Sequence, residues 1–209
     1  LGCIAILRFS LPETHPVERR RKGRFTSLFV GYRIILCDRM ALFYLGAGGM
    51  AFGALFAYVT GSPFVYTRVF GVSQEHYGGI VVLNLVGHLL RRRTIGHVVI
   101  RFGHRIMLTA GVITMITASG LMLAMTLTGM RGQWMITPVL FIALSTVGLI
   151  AANTVAGLLE RHRENAGAAS GLFGVAQFGC GAICSALIGS IGGEPLTTMV
   201  GIMTVTATL

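Results

Sequence analysis

Four uncharged polar side chains, each able to form hydrogen bonds, stand inside long apolar stretches of the sequence. They are Tyr58, Asn84, Asn153 and Gln177. An unpaired amide is costly in hydrocarbon, so groups of this kind face either a partner helix or a water-filled cavity. Both alternatives are open for each residue taken singly. Because the four occupy four different stretches, we expect that some of them converge on a central cavity and contact a ligand there.

The groupings that catalysis or metal binding needs are missing from the sequence. No Asp or Glu lies inside any clear apolar stretch, so the chain offers no carboxylate relay for protons. No connection combines a nucleophile, a base and an orienting group, which argues against an enzyme. Cys3, Cys37, Cys180 and Cys184 have neither metal-site nor disulfide spacing. We therefore predict no catalytic residue and no metal site.

The elements that must position these side chains are predicted to be membrane-spanning helices. Four stretches lack any charged residue, and each exceeds the roughly 20 apolar residues with which a helix crosses a bilayer. They cover residues 40–67, 106–130, 132–159 and 165–193. Charged residues make up 11% of the chain, against about 25% in an average soluble domain. In lipid a helix pairs every backbone polar group within one segment, so the sequence predicts an all-α integral membrane protein.

The predicted organisation has three parts. Residues 1–9 form the end of one helix, and residues 10–39 form a cytoplasmic central loop. Within that loop apolar residues recur at helical spacing from Phe25 to Leu36, which predicts an amphipathic helix along the membrane surface. A passive linker between two halves of a bundle is the alternative. Residues 40–209 form a transmembrane bundle, with spans at about 40–67, 76–100, 105–130, 133–159 and 165–191 and an incomplete span at 195–209.

The net charge of +10 is distributed unevenly over the connections between these spans. Every basic residue except Arg68 and Arg131 falls on alternate connections. The positive-inside rule then predicts connections 9–39 and 160–164 on the cytoplasmic side, and connections 68–75, 131 and 194 on the periplasmic side. Nucleic acid is excluded as a partner, because no aromatic residues interleave with the basic run ERRRKGR.

Arg91, Arg92 and Arg93 interrupt the span predicted at 76–100. One charge at the bilayer centre costs about 2.5–3.5 kcal/mol on insertion scales. Three consecutive positions sweep about 200° of a helix, so they do not all face one cavity. Snorkelling to the interface, a water-exposed helix and a sequence artefact are the alternatives.

The sequence of one loop resembles a motif of a known family. The stretch GHVVIRFGHR from Gly96 to Arg105 resembles the G-x-x-x-D-R-x-G-x-R loop of the major facilitator superfamily, with Ile100 in the place of the family's Asp. In that family the loop latches the cytoplasmic side in the outward-facing state. The resemblance implies a conformational latch formed by Gly96, Arg101, Gly103 and Arg105. We expect a bulky residue at Gly103 to block the close approach of two helix ends.

Longer motifs resemble one branch of that family, the bicyclomycin-resistance (Bcr/CflA) drug:proton antiporters. LPETHPVERR at 11–20 is similar to the segment after the branch's sixth helix, and FAYVTGSPFVY at 56–66 to its seventh helix and exit. Leu83 and Asn84 match the eighth helix. Asn153, AGAASG at 166–171 and AQFG at 176–179 resemble the tenth and eleventh helices.

The resemblance implies that the chain is the C-terminal half of a twelve-helix multidrug exporter, from the end of helix 6 to part of helix 12. Hydrophobic or amphiphilic drug-like molecules would bind between the two halves near the midplane, against Tyr58, Asn84, Asn153 and Gln177. The proton-carrying acid would lie in the first helix, so the missing N-terminal half is an implied partner beside the lipid bilayer. No cofactor is implied, because the proton gradient of the bacterial inner membrane would supply the energy.

Two other functions stay open on the sequence. A sugar or amino-acid exporter would share the same fold, since fold does not fix substrate. A non-functional membrane fragment is the other alternative, which the arginines at 91–93 favour.

Overall fold

The computed structural model describes the backbone of residues 25–209 and the side chains of residues 29–79, 82 and 103–209. Several predictions lie outside these described residues. They are the helix end at 1–9, the loop segment 10–24, the surroundings of Gly96, and the side chains of Asn84, Arg91, Arg92, Arg93 and Arg101.

Six α-helices make up the described chain, and no strand occurs between residues 25 and 209. They are α1 (Phe25–Leu36), α2 (Arg39–Phe64), α3 (Gln74–Leu127), α4 (Gln133–Arg161), α5 (Ala166–Ser190) and α6 (Pro195–Thr208). A π-helical segment, Val65–Val69, continues α2, and a short 3₁₀ turn, Arg163–Asn165, precedes α5. The predicted all-α fold class is confirmed.

Four stretches of the described residues are long and apolar enough to cross a membrane. They are Arg39–Val69, Gly103–Leu127, Gln133–Arg161 and Arg163–Ser190. Each overlaps one of the four charge-free stretches of the sequence, because the helices extend through those stretches and reach the charged residues that border them. The structure therefore fits a multi-pass membrane protein.

A break at Gly103 divides α3 between the spans predicted at 76–100 and 105–130. The backbone at Gly103 has φ 79° and ψ 160°, a conformation that essentially only glycine adopts. A methyl group placed on Gly103 would meet no atom within 4 Å. The expected close approach of two helix ends at the latch stays a prediction. The position requires glycine because of its backbone conformation.

α2 lies at the centre of the bundle, with α4, α5 and α6 packed around it. Gly49 and Gly53 let α5 come close. A methyl group on Gly49 would lie 3.0 Å from the Cys180 sulfur, and one on Gly53 would lie 2.9 Å from the Cys184 sulfur. Close backbone approach increases dispersion contacts, which hold helices together in lipid where apolar burial alone gains little. Larger residues at these two glycines would separate α2 from α5.

α2 changes its pitch after Pro63, which has no amide hydrogen to donate. Residues Val65–Val69 form the π-helical segment, and at its end the Phe70 amide donates to the Val65 carbonyl at 3.1 Å. The Thr67 hydroxyl donates to the Pro63 carbonyl at 2.7 Å. A π-helical turn holds an extra residue and is often found at functional sites.

α1 packs one face against α5 and leaves an apolar face open. Ile35 is fully buried, and Tyr32 lies beside Gly171 of α5. Phe29 and Val30 are exposed on the other side. Apolar residues on both sides suit a helix that contacts lipid as well as the bundle. The location of α1 at the membrane surface stays a prediction.

Candidate functional site

A carboxylate at one end of the bundle joins the start of α2 to the end of α4. Asp38 precedes α2, and its side chain accepts a hydrogen bond from the Met40 amide at 3.0 Å. The Arg161 guanidinium also donates to Asp38, and His162 Nε2 lies 3.1 Å from the same carboxylate oxygen. The hydrogen bond from Arg161, aided by that from Met40, outweighs desolvation and lowers the pKa of Asp38 to about 2. Asp38 is therefore an anion at neutral pH.

A second contact at the same end joins α3 to α4. His104, next to the break in α3, lies with its Nδ1 3.6 Å from a carboxylate oxygen of Glu160. A cavity of about 350 Å³ opens beside this pair. It is lined by Met40, Tyr44, His104, Arg105, Gly157, Glu160 and Arg161. Gly103 and Arg105, two members of the predicted latch, thus lie beside the end of α4.

The opposite end of the bundle holds a different set of contacts. Arg131, between α3 and α4, donates to Glu194 before α6 at 2.5 Å. The Tyr66 hydroxyl and the Thr137 hydroxyl are 3.0 Å apart. A cavity of about 440 Å³ at this end is lined by Pro63, Phe64, Thr67, Arg68, Gln74 and Tyr77. The Arg68 guanidinium lies 5.2 Å from the centre of the Phe64 ring.

The connections are therefore sorted by end in the way that the basic residues indicated. Asp38, His104 and Arg161 meet at one end, and Arg131 and Glu194 meet at the other. Alternate connections of an up-and-down helix bundle must fall at the same end. Which end faces the cytoplasm stays a prediction.

The predicted ligand-binding residues that are described lie on three helices: Tyr58 on α2, Asn153 on α4 and Gln177 on α5. Tyr58 is 7% exposed and Asn153 is 2% exposed, whereas Gln177 is half-buried. The Asn153 amide nitrogen donates to the Leu149 carbonyl of its own helix at 2.7 Å. In this conformation Gln177 thus presents more surface to a ligand than Tyr58 or Asn153 does. The role of all four residues in binding stays a prediction.

An aromatic cluster that the sequence did not single out lies between α2 and α5. The Phe178 ring packs edge-on against two rings of α2, those of Phe52 at 6.5 Å and Phe56 at 6.3 Å between centroids. Further along the same pair of helices the Thr60 and Ser185 hydroxyls are 2.9 Å apart. The one sequence signal was the spacing of Phe52 and Phe56, which puts them one turn apart on a helix.

Comparison with known proteins supports the resemblance to transporters. The chain is 28% identical over 187 residues to a bicyclomycin resistance protein homolog of Haemophilus influenzae, covering 90% of this chain and 47% of that protein. It is 30% identical over 211 aligned positions to the uncharacterized MFS-type transporter YdgK of Bacillus subtilis, covering 99% of this chain and 51% of that protein. The chain thus spans about half the length of the curated relatives that it matches.

Neither family models nor solved structures add to this comparison. No family model matches the chain, and no solved structure matches it. The two relatives nevertheless confirm the resemblance to major facilitator transporters, and their lengths are consistent with a half of such a protein.

Proposed function

We propose that this chain is the C-terminal half of a major facilitator drug exporter that works by proton antiport across the bacterial inner membrane. The similarity to a bicyclomycin resistance protein homolog along 90% of the chain carries the proposal. The four apolar spans account for four of the six helices that half of a twelve-helix exporter needs. Export would proceed by alternating access, in which two bundles rock around a site near the midplane.

The two halves of the exporter would have different roles. The clear apolar stretches of this chain contain no Asp or Glu, so the acid that exchanges a proton would come from the N-terminal half. This chain would supply one wall of the drug site, with contacts from Tyr58, Asn84, Asn153 and Gln177. Binding in such sites rests mainly on apolar surface with a few well-placed polar groups.

The end of the bundle that holds Asp38 and Arg161 is proposed to face the cytoplasm. The basic residues of the sequence concentrate on the connections at this end. The latch loop of Gly96, Arg101, Gly103 and Arg105 would act here, beside the end of α4. Arg105 lines the same cavity as Glu160 and Arg161, which supports this placement.

The test is drug accumulation in cells that make either the 209-residue chain alone or the full-length transporter that contains it. We expect the full-length protein to lower the accumulation of a bulky drug, and an uncoupler of the proton gradient to abolish that effect. The chain alone should leave accumulation unchanged, because it is a single bundle without an intramembrane acid. Efflux by the chain alone, or efflux by the full-length protein that resists the uncoupler, would overturn the proposal.

A further inference from the structure

We propose that the exposed face of α1 binds anionic phospholipid at the cytoplasmic surface of the membrane. The lipid phosphates would contact Arg33 of α1 and Arg39 at the start of α2, both of which are exposed. The acyl chains would contact the apolar side chains beside Arg33. This inference rests on the membrane location of the bundle and on the proposed orientation of its Asp38 end, and it is independent of drug export.

α1 is held at the end of the bundle at which two spans begin. The turn that joins it to α2 consists of Cys37 and Asp38, and the span that contains α2 begins at Arg39. A methyl group placed on Gly31 would lie 3.2 Å from the Cβ atom of Ala168, near the start of α5. α1 therefore packs closely against the bundle at the end where its chain enters the predicted membrane core.

The face of α1 opposite Gly31 and Ile35 is apolar and contains one charged residue. At about 100° per residue, its exposed residues cover an arc of about 160°. In order around the helix they are Leu36, Phe29, Arg33, Val30 and Ile34. Phe29 is 73% exposed and Val30 is 57% exposed. Arg33 thus lies between apolar neighbours on this face.

The charges around this face are basic and leave room for an anion. Positions 19–24, just before α1, contain five basic residues, and no acidic residue lies between positions 19 and 37. Asp38 is already paired with Arg161. Among the described residues, no carboxylate forms an ion pair with Arg33 or Arg39. Four to eight basic residues next to an amphipathic helix are typical of binding to anionic lipid.

Anionic phospholipid accounts for both properties of the face. Water would leave the apolar side chains of Phe29 and Val30 solvated, which is unfavourable. A protein surface would have to cover them and also bring carboxylates to Arg33 and Arg39. A phospholipid supplies acyl chains and a phosphate in one molecule, and the stem of an arginine can lie along apolar surface while its guanidinium reaches the phosphate.

The test measures lipid contact at α1 by the quenching of tryptophan emission with brominated lipid. Phe29→Trp places a reporter on the exposed face, and its emission is the difference from the full-length transporter without this substitution. The protein is reconstituted into phosphatidylcholine vesicles that contain increasing fractions of brominated phosphatidylglycerol or of brominated phosphatidylcholine. Each basic residue near an anionic surface favours its lipids about 5-fold. We expect phosphatidylglycerol to associate with the reporter site at least about 3-fold more strongly than phosphatidylcholine.

Charge variants of the reporter protein test the two arginines. Arg33→Gln combined with Arg39→Gln should lower the preference for phosphatidylglycerol at least about 2-fold, and added salt should lower it as well. The corresponding double change to lysine should retain the preference, because lysine keeps the charge. Arg68→Gln is the matched control, since Arg68 is an exposed arginine at the opposite end of the bundle, and it should leave the preference unchanged. Val30→Trp serves as the reporter if Phe29→Trp fails to reach the membrane.

Three results would overturn the inference. Equal quenching by the two lipids excludes a preference for anionic lipid, and quenching by neither shows that protein covers this face of α1. A preference that survives the double change to glutamine excludes Arg33 and Arg39 as the contacts. Drug export is tested separately by the accumulation assay, so failure here leaves the proposed function standing.

Discussion

At one end of the bundle Asp38 caps α2 and pairs with Arg161 of α4 and with the next residue, His162, while at the other end Arg131 and Glu194 form an ion pair. The Asp38 carboxylate accepts hydrogen bonds from the Met40 amide and from Arg161 and lies beside His162, and the Asp38 side chain is 17% exposed, against 34% for that of Glu194. A carboxylate that caps a helix as well as forming an ion pair contributes more to stability than an exposed ion pair alone, which water and salt screen. Asp38 is therefore expected to contribute more to the free energy of unfolding than Glu194 does.

The largest effect on stability is expected at Gly103, the break in α3 at the end of the bundle that holds Asp38. We expect Gly103→Ala to lower the free energy of unfolding by about 1–3 kcal/mol, because an L-residue is strained at that backbone conformation. Thermal unfolding of the purified protein in detergent measures the change. Gly120→Ala is the control, since Gly120 is helical and a methyl group there meets no atom within 4 Å. Equal stability of the two variants would contradict the assigned role of Gly103.

Replacing Asp38 separates its two roles. Asp38→Ala removes both the cap and the charge and should cost about 1 kcal/mol or more of unfolding free energy. Asp38→Asn should cost less, because Asn also caps helices, and the difference between the variants reports the cap. Unfolding midpoints of the wild-type protein and both variants, measured at neutral pH, check this order. If Asp38→Ala leaves the free energy of unfolding unchanged, Asp38 does not stabilise its end of the bundle more than Glu194 stabilises the other.

The charge contribution of Asp38 should depend on pH in a definite direction. Because folding lowers the pKa of Asp38 to about 2, its contribution is full well above the unfolded-state pKa of about 3.9. It is lost as the pH falls through that value towards 2. The stability difference between wild type and Asp38→Asn should therefore shrink between pH 6 and pH 2. A difference that stays constant over this range would show that the carboxylate charge is unimportant.

The smallest effect is expected at the opposite end. Glu194→Gln should lower the unfolding free energy by about 0.5 kcal/mol or less, because exposed ion pairs contribute little. Added salt should reduce even that loss. The same measurement on Arg131→Gln provides the paired control. A loss as large as that of Asp38→Ala would make the two ends equivalent and remove the contrast between them.

The sequence predicted those features that depend on local composition. Charge-free stretches located the spans, because hydrocarbon excludes charged side chains over a fixed length. Alternating basic residues grouped Asp38 with Arg161 and Arg131 with Glu194 at opposite ends, since connections alternate between the ends of a bundle. The position of the break in α3 followed from the same reasoning.

The details of the candidate site depend on contacts between distant residues, which composition does not reveal. The sequence did not reveal that the amide of Asn153, a predicted ligand contact, donates to the carbonyl of Leu149, a bond that any helix offers to such a side chain. Phe178 meets Phe52 only because α5 packs closely on α2. The backbone conformation that requires glycine at position 103 was not predicted, because it arises only at the break between two helical segments.

The π-helical segment at the end of α2 sets the rotational register of the residues at its C-terminal side. Its five residues, Val65–Val69, hold one residue more than an α-helical turn would, and a single-residue deletion there would restore the regular α-helical pitch. Each residue corresponds to about 100° of rotation. Such a deletion would leave Tyr58 and the rest of α2 in place while it turned Arg68 away from its present direction. Arg68 therefore lines the 440 Å³ cavity because of the number of residues that precede it in the helix as well as because of its residue type.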